Sequence, residues 1–112
     1  MADLDSLMKL DGALAAFEFN DRGELLKSQV ADNSAITADV IDLVAHVCVA
    51  NGAIATMQAR GWEKVTGMKG FYPVQGLSLI GFDWTVVMHG NQGVILPNSK
   101  ADFDKAYAAL GA

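Results

Sequence analysis

The sequence has few groups that could support covalent, redox or metal chemistry. It contains one cysteine and two histidines among 112 residues, which excludes an internal disulfide and a cysteine-rich metal site. Asp42 and His46 have i, i+4 spacing, which suits a simple surface pair at least as well as metal binding. His46 and Cys48 are two positions apart, so on a helix they point about 200° away from each other and cannot form a Cys-His dyad. We therefore predict no catalytic residue and no metal site, and we interpret Cys48 as a small buried residue.

Positive charge is also scarce. Eight Lys and Arg residues are scattered against thirteen Asp and Glu residues, giving a net charge of -5 and a pI of about 4.7. Nucleic acids and anionic membranes are bound through clustered Lys and Arg, so we expect neither as a partner. The chain has no Gly-x-x-x-x-Gly-Lys-Ser/Thr loop and no dinucleotide-binding glycine fingerprint. This absence predicts no cofactor and argues against a nucleotide-hydrolysing or redox enzyme.

Length and composition predict one domain over residues 1–112, since 52% hydrophobic residues are enough for a real core. The start, MADLDSLMKL, is acidic and lacks the basic first residues and the continuous apolar core of a signal peptide. A free thiol in a chain with five methionines fits a reducing compartment. We therefore expect a cytoplasmic protein.

Charge is missing altogether from residues 43–59, within a predicted helix over residues 38–60. A solvent-facing helix of a small domain normally carries a charged face, so its loss predicts that a second surface covers this helix. The run has 17 residues, including His46, Asn51 and Gln58, and is shorter and more polar than the roughly 20 apolar residues of a membrane span. We therefore do not expect a membrane to cover this helix.

Two stripes follow the predicted helix, one small and one bulky. The small stripe consists of Ile41, Ala45, Cys48, Gly52, Ala55 and Ala59, and the bulky one of Val40, Val44, Val47, Asn51 and Ile54. Small residues let two helix backbones approach closely, so we favour the small stripe as the interface of a homodimer. The alternative is that the small stripe packs on its own sheet, in which case the bulky stripe would need a partner.

The remaining pattern predicts a short first helix, strands and a final helix. Strands are expected at residues 13–20, 24–29, 63–68, 75–82, 84–89 and 93–97, with Gly61 ending the long helix. Apolar residues on both faces place strands 75–82 and 84–89 in the middle of the sheet, whereas Lys27 and Ser28 place strand 24–29 at an edge. The fold class is an α/β sandwich with a central antiparallel sheet of five to six strands, a long helix on one face and shorter terminal helices.

Two aromatic residues, Phe71 and Tyr72, lie in a loop between Gly70 and Pro73. Aromatic side chains in such a loop can anchor a partner or cover a ligand pocket. They can equally fold onto the core of their own chain, near Trp62 or Trp84.

The segments LMKLDGALAAFEFNDRGELL and WTVVMHGNQGVILP, with the long helix between them, resemble the Roadblock family of dynein light chains and its prokaryotic relatives. The chain departs from the family pattern at residues 68–73, which look like an insertion, and in the many small residues of its central helix. The resemblance implies a profilin-like domain that forms a homodimer, does not catalyse a reaction, and regulates a small GTPase or serves as a scaffold. The alternative is a ligand-sensing or accessory subunit of a metabolic enzyme complex, for example in sulfur metabolism.

Overall fold

The fold is a five-stranded antiparallel sheet with helices on both faces, as a computed structural model of residues 2–112 shows. The strands lie in the order β2-β1-β5-β4-β3. The elements are α1 (Leu4–Met8), β1 (Ala15–Phe19), β2 (Leu25–Val30), α2 (Ala38–Thr66), β3 (Leu77–Ile80), β4 (Trp84–His89), β5 (Gln92–Pro97) and α3 (Phe103–Leu110), with a short 3-10 turn at Asn98–Lys100. The predicted fold class is therefore confirmed, with a long helix on one face and short terminal helices on the other.

Alternation along the central strands divides the core into two layers. In β1, Phe17 lies in the layer beneath α2, while Ala16 lies in the layer beneath α1 and α3. In β5, Ile95 lies in the layer beneath α2, and Val94 lies in the layer beneath α1 and α3. The centre of the sheet is thus formed by β1 and β5, and β5 has five consecutive buried residues.

The long helix runs past its predicted end. Thr37 accepts a hydrogen bond from the amide of Val40 at the start of α2, and Gly67, with φ of 71°, ends the helix. The predicted stop at Gly61 and the predicted strand over residues 63–68 are both wrong. A glycine inside a helix costs only about 1 kcal/mol relative to alanine, so a long helix with favourable packing can continue through it.

The order of the strands corrects a second expectation. Strand β2 lies at one edge, as predicted, but β3 lies at the other edge and not in the middle. Only Leu77–Ile80 of the predicted strand pairs with β4. The apolar residues that suggested a buried strand include Leu79 and Ile80, which are exposed. Their exposure means that the apolar pattern reflects an uncovered surface.

The turn between β1 and β2 packs closely on α2. A Cβ atom added to Gly23, whose φ is +86°, would lie 2.9 Å from the Cα atom of His46. The backbone N–H of Leu25 donates a hydrogen bond of 3.0 Å to the carboxylate of Asp42. The helix therefore covers the start of the β2 edge with a charged side chain.

Candidate interaction surfaces

The first half of the small stripe of α2 faces the chain's own sheet. Ile41, Ala45 and Cys48 are buried and pack with Phe17 and Ile95. These three side chains cannot reach another copy, so their assignment to a dimer interface was wrong and the alternative, packing on the sheet, applies to them. Burial raises the pKa of the Cys48 thiol to about 11, which leaves it protonated and unreactive at neutral pH.

The second half of the small stripe lies over two neighbouring cavities instead. Gly52 lines a cavity of about 380 Å³, and Ala55 and Ala59 line one of about 500 Å³. Val74 and Gln75 contribute to both cavities. Small side chains here leave space between α2 and residues 70–76. Ala59 is nevertheless buried, like the first half of the stripe, and a dimer role for these three residues stays a prediction.

The outer face of α2, which points away from the sheet, is apolar and uncovered. Its five large side chains are between 37 and 69% exposed. They are Val40, Leu43, Val47, Ile54 and Met57, with the exposed Ala50 between them. Val40, Val47 and Ile54 of the bulky stripe thus lie on the uncovered face, whereas Val44 of that stripe packs against the core.

With its 29 residues, α2 is long and apolar enough to cross a membrane, judged by length and composition only. The length argument against a membrane span therefore fails, because the observed helix is longer than the uncharged run. The packing of Ile41, Ala45 and Cys48 on the sheet is the better argument, since these three side chains are buried in the core of the chain itself. That no membrane is bound stays a prediction.

A second apolar surface lies on the half of the sheet that α2 leaves open. Leu79 of β3 and Trp84 of β4 line a shallow cavity of about 460 Å³ with Phe82, which is 98% exposed. Residues 70–82 contain no charged side chain. The surface therefore combines exposed apolar side chains with an uncharged strand edge, and we call it the β3 patch.

The loop of residues 70–73, which we call the aromatic loop, is fixed to the end of α2 by one carboxylate. Glu63 accepts hydrogen bonds from the backbone N–H groups of Gly70 at 2.9 Å, and of Phe71 and Tyr72 at 3.1 Å each. These bonds, first among them that from Tyr72, hold the pKa of Glu63 below its usual range. The ring of Phe71 lies edge-on to Trp62, with 5.3 Å between the ring centroids. Phe71 thus lies near Trp62, as the alternative has it, but its side chain is 54% exposed and is not part of the core.

Tyr72 lies against the guanidinium group of Arg60. Arg60 donates a hydrogen bond of 2.8 Å to the Tyr72 hydroxyl, and its guanidinium carbon lies 4.7 Å from the centre of the ring. Tyr72 and Phe71 are nevertheless about half exposed. The loop therefore presents preformed aromatic surface, and its role as a partner or ligand loop stays a prediction.

The residues with potential chemistry do not form a cluster. The Nδ1 atom of His46 lies 2.7 Å from the backbone oxygen of Asp42 and 3.7 Å from its carboxylate. His46 is exposed, whereas Cys48 is buried against the sheet. Within residues 2–112, no group of three His, Cys, Asp or Glu side chains is placed to hold a metal ion.

Comparison with known protein families decides where the chain belongs. The model of the family described as "Uncharacterized conserved protein (DUF2173)" matches residues 3–112. The chain belongs to this family. No curated protein sequence matches the DUF2173 chain.

Solved structures show which fold the DUF2173 protein shares. The Roadblock/LC7 domain from Streptomyces avermitilis has a TM-score of 0.76 at 8% identity, and the match covers 96% of this chain and 83% of that one. The gliding protein MglB from Thermus thermophilus has a TM-score of 0.68 at 17% identity, covering 96% and 82%. A structure described as MglB with tetrameric arrangement has a TM-score of 0.70 at 17% identity, covering 95% and 75%. The DUF2173 protein therefore has the Roadblock fold.

Sequence reasoning missed two parts of these surfaces. Glu63 was assigned to a strand, so its contact with the aromatic loop could not be foreseen. The β3 patch was missed because exposed apolar residues and buried ones give the same sequence pattern. The absence of any charge between Lys69 and Asp83 was a signal that could have indicated an uncovered strand edge.

Proposed function

We propose that this DUF2173 protein is a cytoplasmic regulatory scaffold without catalytic activity of its own, which forms a homodimer and binds a small GTPase or another protein. The observation that carries the proposal is the β3 patch, an uncovered apolar surface that ends at an unpaired strand edge. Monomeric soluble proteins rarely leave such surfaces open, because they favour association.

The two edges of the sheet differ in a way that favours pairing at β3. The β2 edge carries Lys27 and has the backbone N–H of Leu25 occupied by the carboxylate of Asp42. The β3 edge, Leu77–Ile80, carries no charged side chain. A second copy that pairs antiparallel at this edge would satisfy its free backbone groups and join the two β3 patches.

The Roadblock fold supports the rest of the proposal. The resemblance of this chain to Roadblock proteins implies a scaffold or a regulator of small GTPases, and a related fold exists in a structure of MglB with tetrameric arrangement. Self-association at β3 leaves the aromatic loop and the outer face of α2 free for further contacts.

A GTPase partner can be tested by adding the protein to a purified small GTPase and measuring the rate of GTP hydrolysis. An unchanged rate would argue against regulation of that GTPase.

Light scattering with an edge variant tests the homodimer. Leu79→Glu places a charge in the β3 patch, and we expect it to halve the mass measured at a given concentration. Leu26→Glu is the matched control, because Leu26 is a similarly exposed leucine on the opposite edge strand. An unchanged mass for Leu79→Glu, with circular dichroism showing a folded protein, would contradict pairing at β3.

The cavity of about 500 Å³ favours a second candidate function, a ligand-sensing or accessory subunit of a metabolic enzyme complex. Its volume is that of a small-molecule site, and its lining includes Trp62, Phe71 and Pro73 but no charged side chain. Native mass spectrometry of the purified protein tests this candidate. A retained small molecule that is lost in an Ala59→Phe variant would support it, while protein of the plain chain mass in both samples would argue against it.

A further inference from the structure

The cavity of about 500 Å³ between α2 and residues 70–76 is lined by small side chains and by aromatic rings. Ala55 and Ala59 lie one helical turn apart, so the helix offers a smooth surface at these two positions. Trp62 and Phe71 also line the cavity, and both side chains are about half exposed. A flat ring system inside the cavity could therefore contact the helix surface and an aromatic ring together.

The polar groups of the cavity are neutral. Among residues 2–112, no charged side chain lines it, because the two charged groups at this end of α2 are used elsewhere. Arg60 contacts the hydroxyl group and the ring of Tyr72, and Glu63 accepts three backbone N–H groups of the aromatic loop. The lining contains instead the carboxamides of Gln58 and Gln75, which both donate and accept hydrogen bonds. An ion that entered the cavity would lose hydration without gaining a partner of opposite charge, so the lining favours an uncharged ligand.

The aromatic part of the lining is already in place in the chain by itself. The ring of Phe71 lies edge-on to Trp62, with 5.3 Å between the centroids. The backbone N–H of Phe71 donates to Glu63, which ties the loop to the helix. A ligand that packs on a ring held in this way does not have to order the loop, so less of its binding free energy is lost to conformational entropy.

We infer that this cavity binds an uncharged aromatic molecule, whose ring packs between Ala55 and Phe71 and whose polar edge pairs with the carboxamides of Gln58 and Gln75. The inference rests on the second candidate function, a ligand-sensing or accessory subunit, and adds the chemical class of the ligand. Phosphorylated and carboxylated molecules are excluded, because the lining offers them no positive charge. Pairing at β3 is not required, since every residue invoked belongs to one copy of the chain.

Two dyes that differ only in charge test the class of ligand. N-phenylnaphthylamine is uncharged and fluoresces strongly in apolar surroundings, and anilinonaphthalene sulfonate is the same ring system with a sulfonate group. We expect a saturable fluorescence titration with the uncharged dye and binding of the sulfonate that is about tenfold weaker, because its charge would enter the cavity without a partner.

Substitutions in the cavity locate the bound dye. Ala55→Phe should weaken binding of the uncharged dye about tenfold, because the added ring occupies the ligand's place. Ala53→Phe is the matched control, since Ala53 is an exposed alanine of the same helix and lines neither neighbouring cavity. Phe71→Ala removes a ring from an exposed loop, where the fold is not at risk, and should weaken binding about fivefold. Leu79→Glu, in the β3 patch, should leave the affinity unchanged. Circular dichroism checks that each variant is folded.

The result that would overturn the inference is equal binding of the uncharged dye to the wild type, Ala55→Phe and Phe71→Ala. A sulfonate dye that binds as tightly as the uncharged one would overturn it too.

Native mass spectrometry separates this inference from the candidate function on which it rests. An anionic or purely aliphatic molecule that is retained by the wild type and lost in Ala59→Phe would support a ligand-sensing role and overturn the uncharged aromatic class. Dye binding that depends on Ala55 and Phe71, with no retained molecule, would support the class and argue against the candidate function.

Discussion

At the scale of single residues, glycine has opposite roles in the sheet and in the long helix. A Cβ atom on Gly93 would collide with the ring of Phe17, which packs across β5 beneath α2. A Cβ atom on Gly52 would meet no atom of the chain within 4 Å. Gly93 is therefore required by packing, whereas Gly52 is not.

These two glycines give the first prediction. Gly93→Ala should lower the free energy of unfolding by about 1–3 kcal/mol, because Phe17 must move from its packed position. Gly52→Ala should raise it by about 0.5–1 kcal/mol, because alanine favours the helix and has room. Urea unfolding of both variants measures the difference, and equal effects would show that the close contact at Gly93 does not matter.

The contact of Glu63 with the aromatic loop gives a prediction about pH. A lowered pKa means that the ionised carboxylate favours the folded loop, so this contribution is complete above the ordinary value of 4.5 and is lost as the pH falls through the lower folded value. We expect the amides of Gly70, Phe71 and Tyr72 to be protected at neutral pH and to lose protection in acid. Hydrogen exchange followed by NMR measures this directly.

Substitution provides the matching control. Glu63→Gln should speed exchange of these three amides about fivefold at neutral pH, since a neutral acceptor binds N–H groups more weakly than a carboxylate. Glu24→Gln also removes an exposed carboxylate with a lowered pKa, in a distant turn. The Glu24 variant should leave the loop amides unchanged, and equal effects of the two variants would point to a general effect of charge.

At the scale of elements, the sequence predicted most of the fold because its strands alternate clearly. Strand β4 was predicted with its observed bounds, and β1 and β2 were predicted within two residues of theirs. The error lay in α2, where Gly61 and Gly67 both look like helix ends in the sequence. Only the backbone distinguishes them, because Gly67 has a positive φ and Gly61 does not.

This distinction can be tested with two alanine variants. Gly61→Ala should raise the free energy of unfolding by about 0.5–1 kcal/mol, since it replaces a glycine inside a helix where space is open. Gly67→Ala should lower it by about 1 kcal/mol, because alanine is strained at positive φ. Thermal unfolding measures both changes. Changes of the reverse sign at both positions would mean that the helix ends at Gly61, as the sequence suggested.

At the scale of the whole molecule, the interaction surfaces could be predicted only in part. The missing charge in residues 43–59 correctly indicated an uncovered helix. Which stripe is uncovered depends on how α2 rests on the sheet, and both stripes contain residues that suit a core. The structure resolves the choice because Ile41 and Cys48 of the small stripe are buried while Val40 and Val47 of the bulky stripe are exposed.

The proposed pairing at β3 predicts a loss of mass when the contact is removed. The wild-type chain, of 11.9 kDa, should form a dimer. Leu79→Glu should leave a monomer, because it places a charge in the apolar contact. Light scattering over a dilution series measures the masses, and a Leu79→Glu variant that still forms dimers would reveal a further surface.

The carboxylate of Asp42 on the β2 edge has a consequence for how far an assembly could grow. A sheet with two open edges can add copies without limit and become a filament. Here the backbone N–H of Leu25 is already occupied, so a strand arriving at that edge would have to displace a charged group. The proposed pairing at β3 would therefore give two copies and ten strands, and one aspartate on the neighbouring helix opposes further growth at the β2 edge.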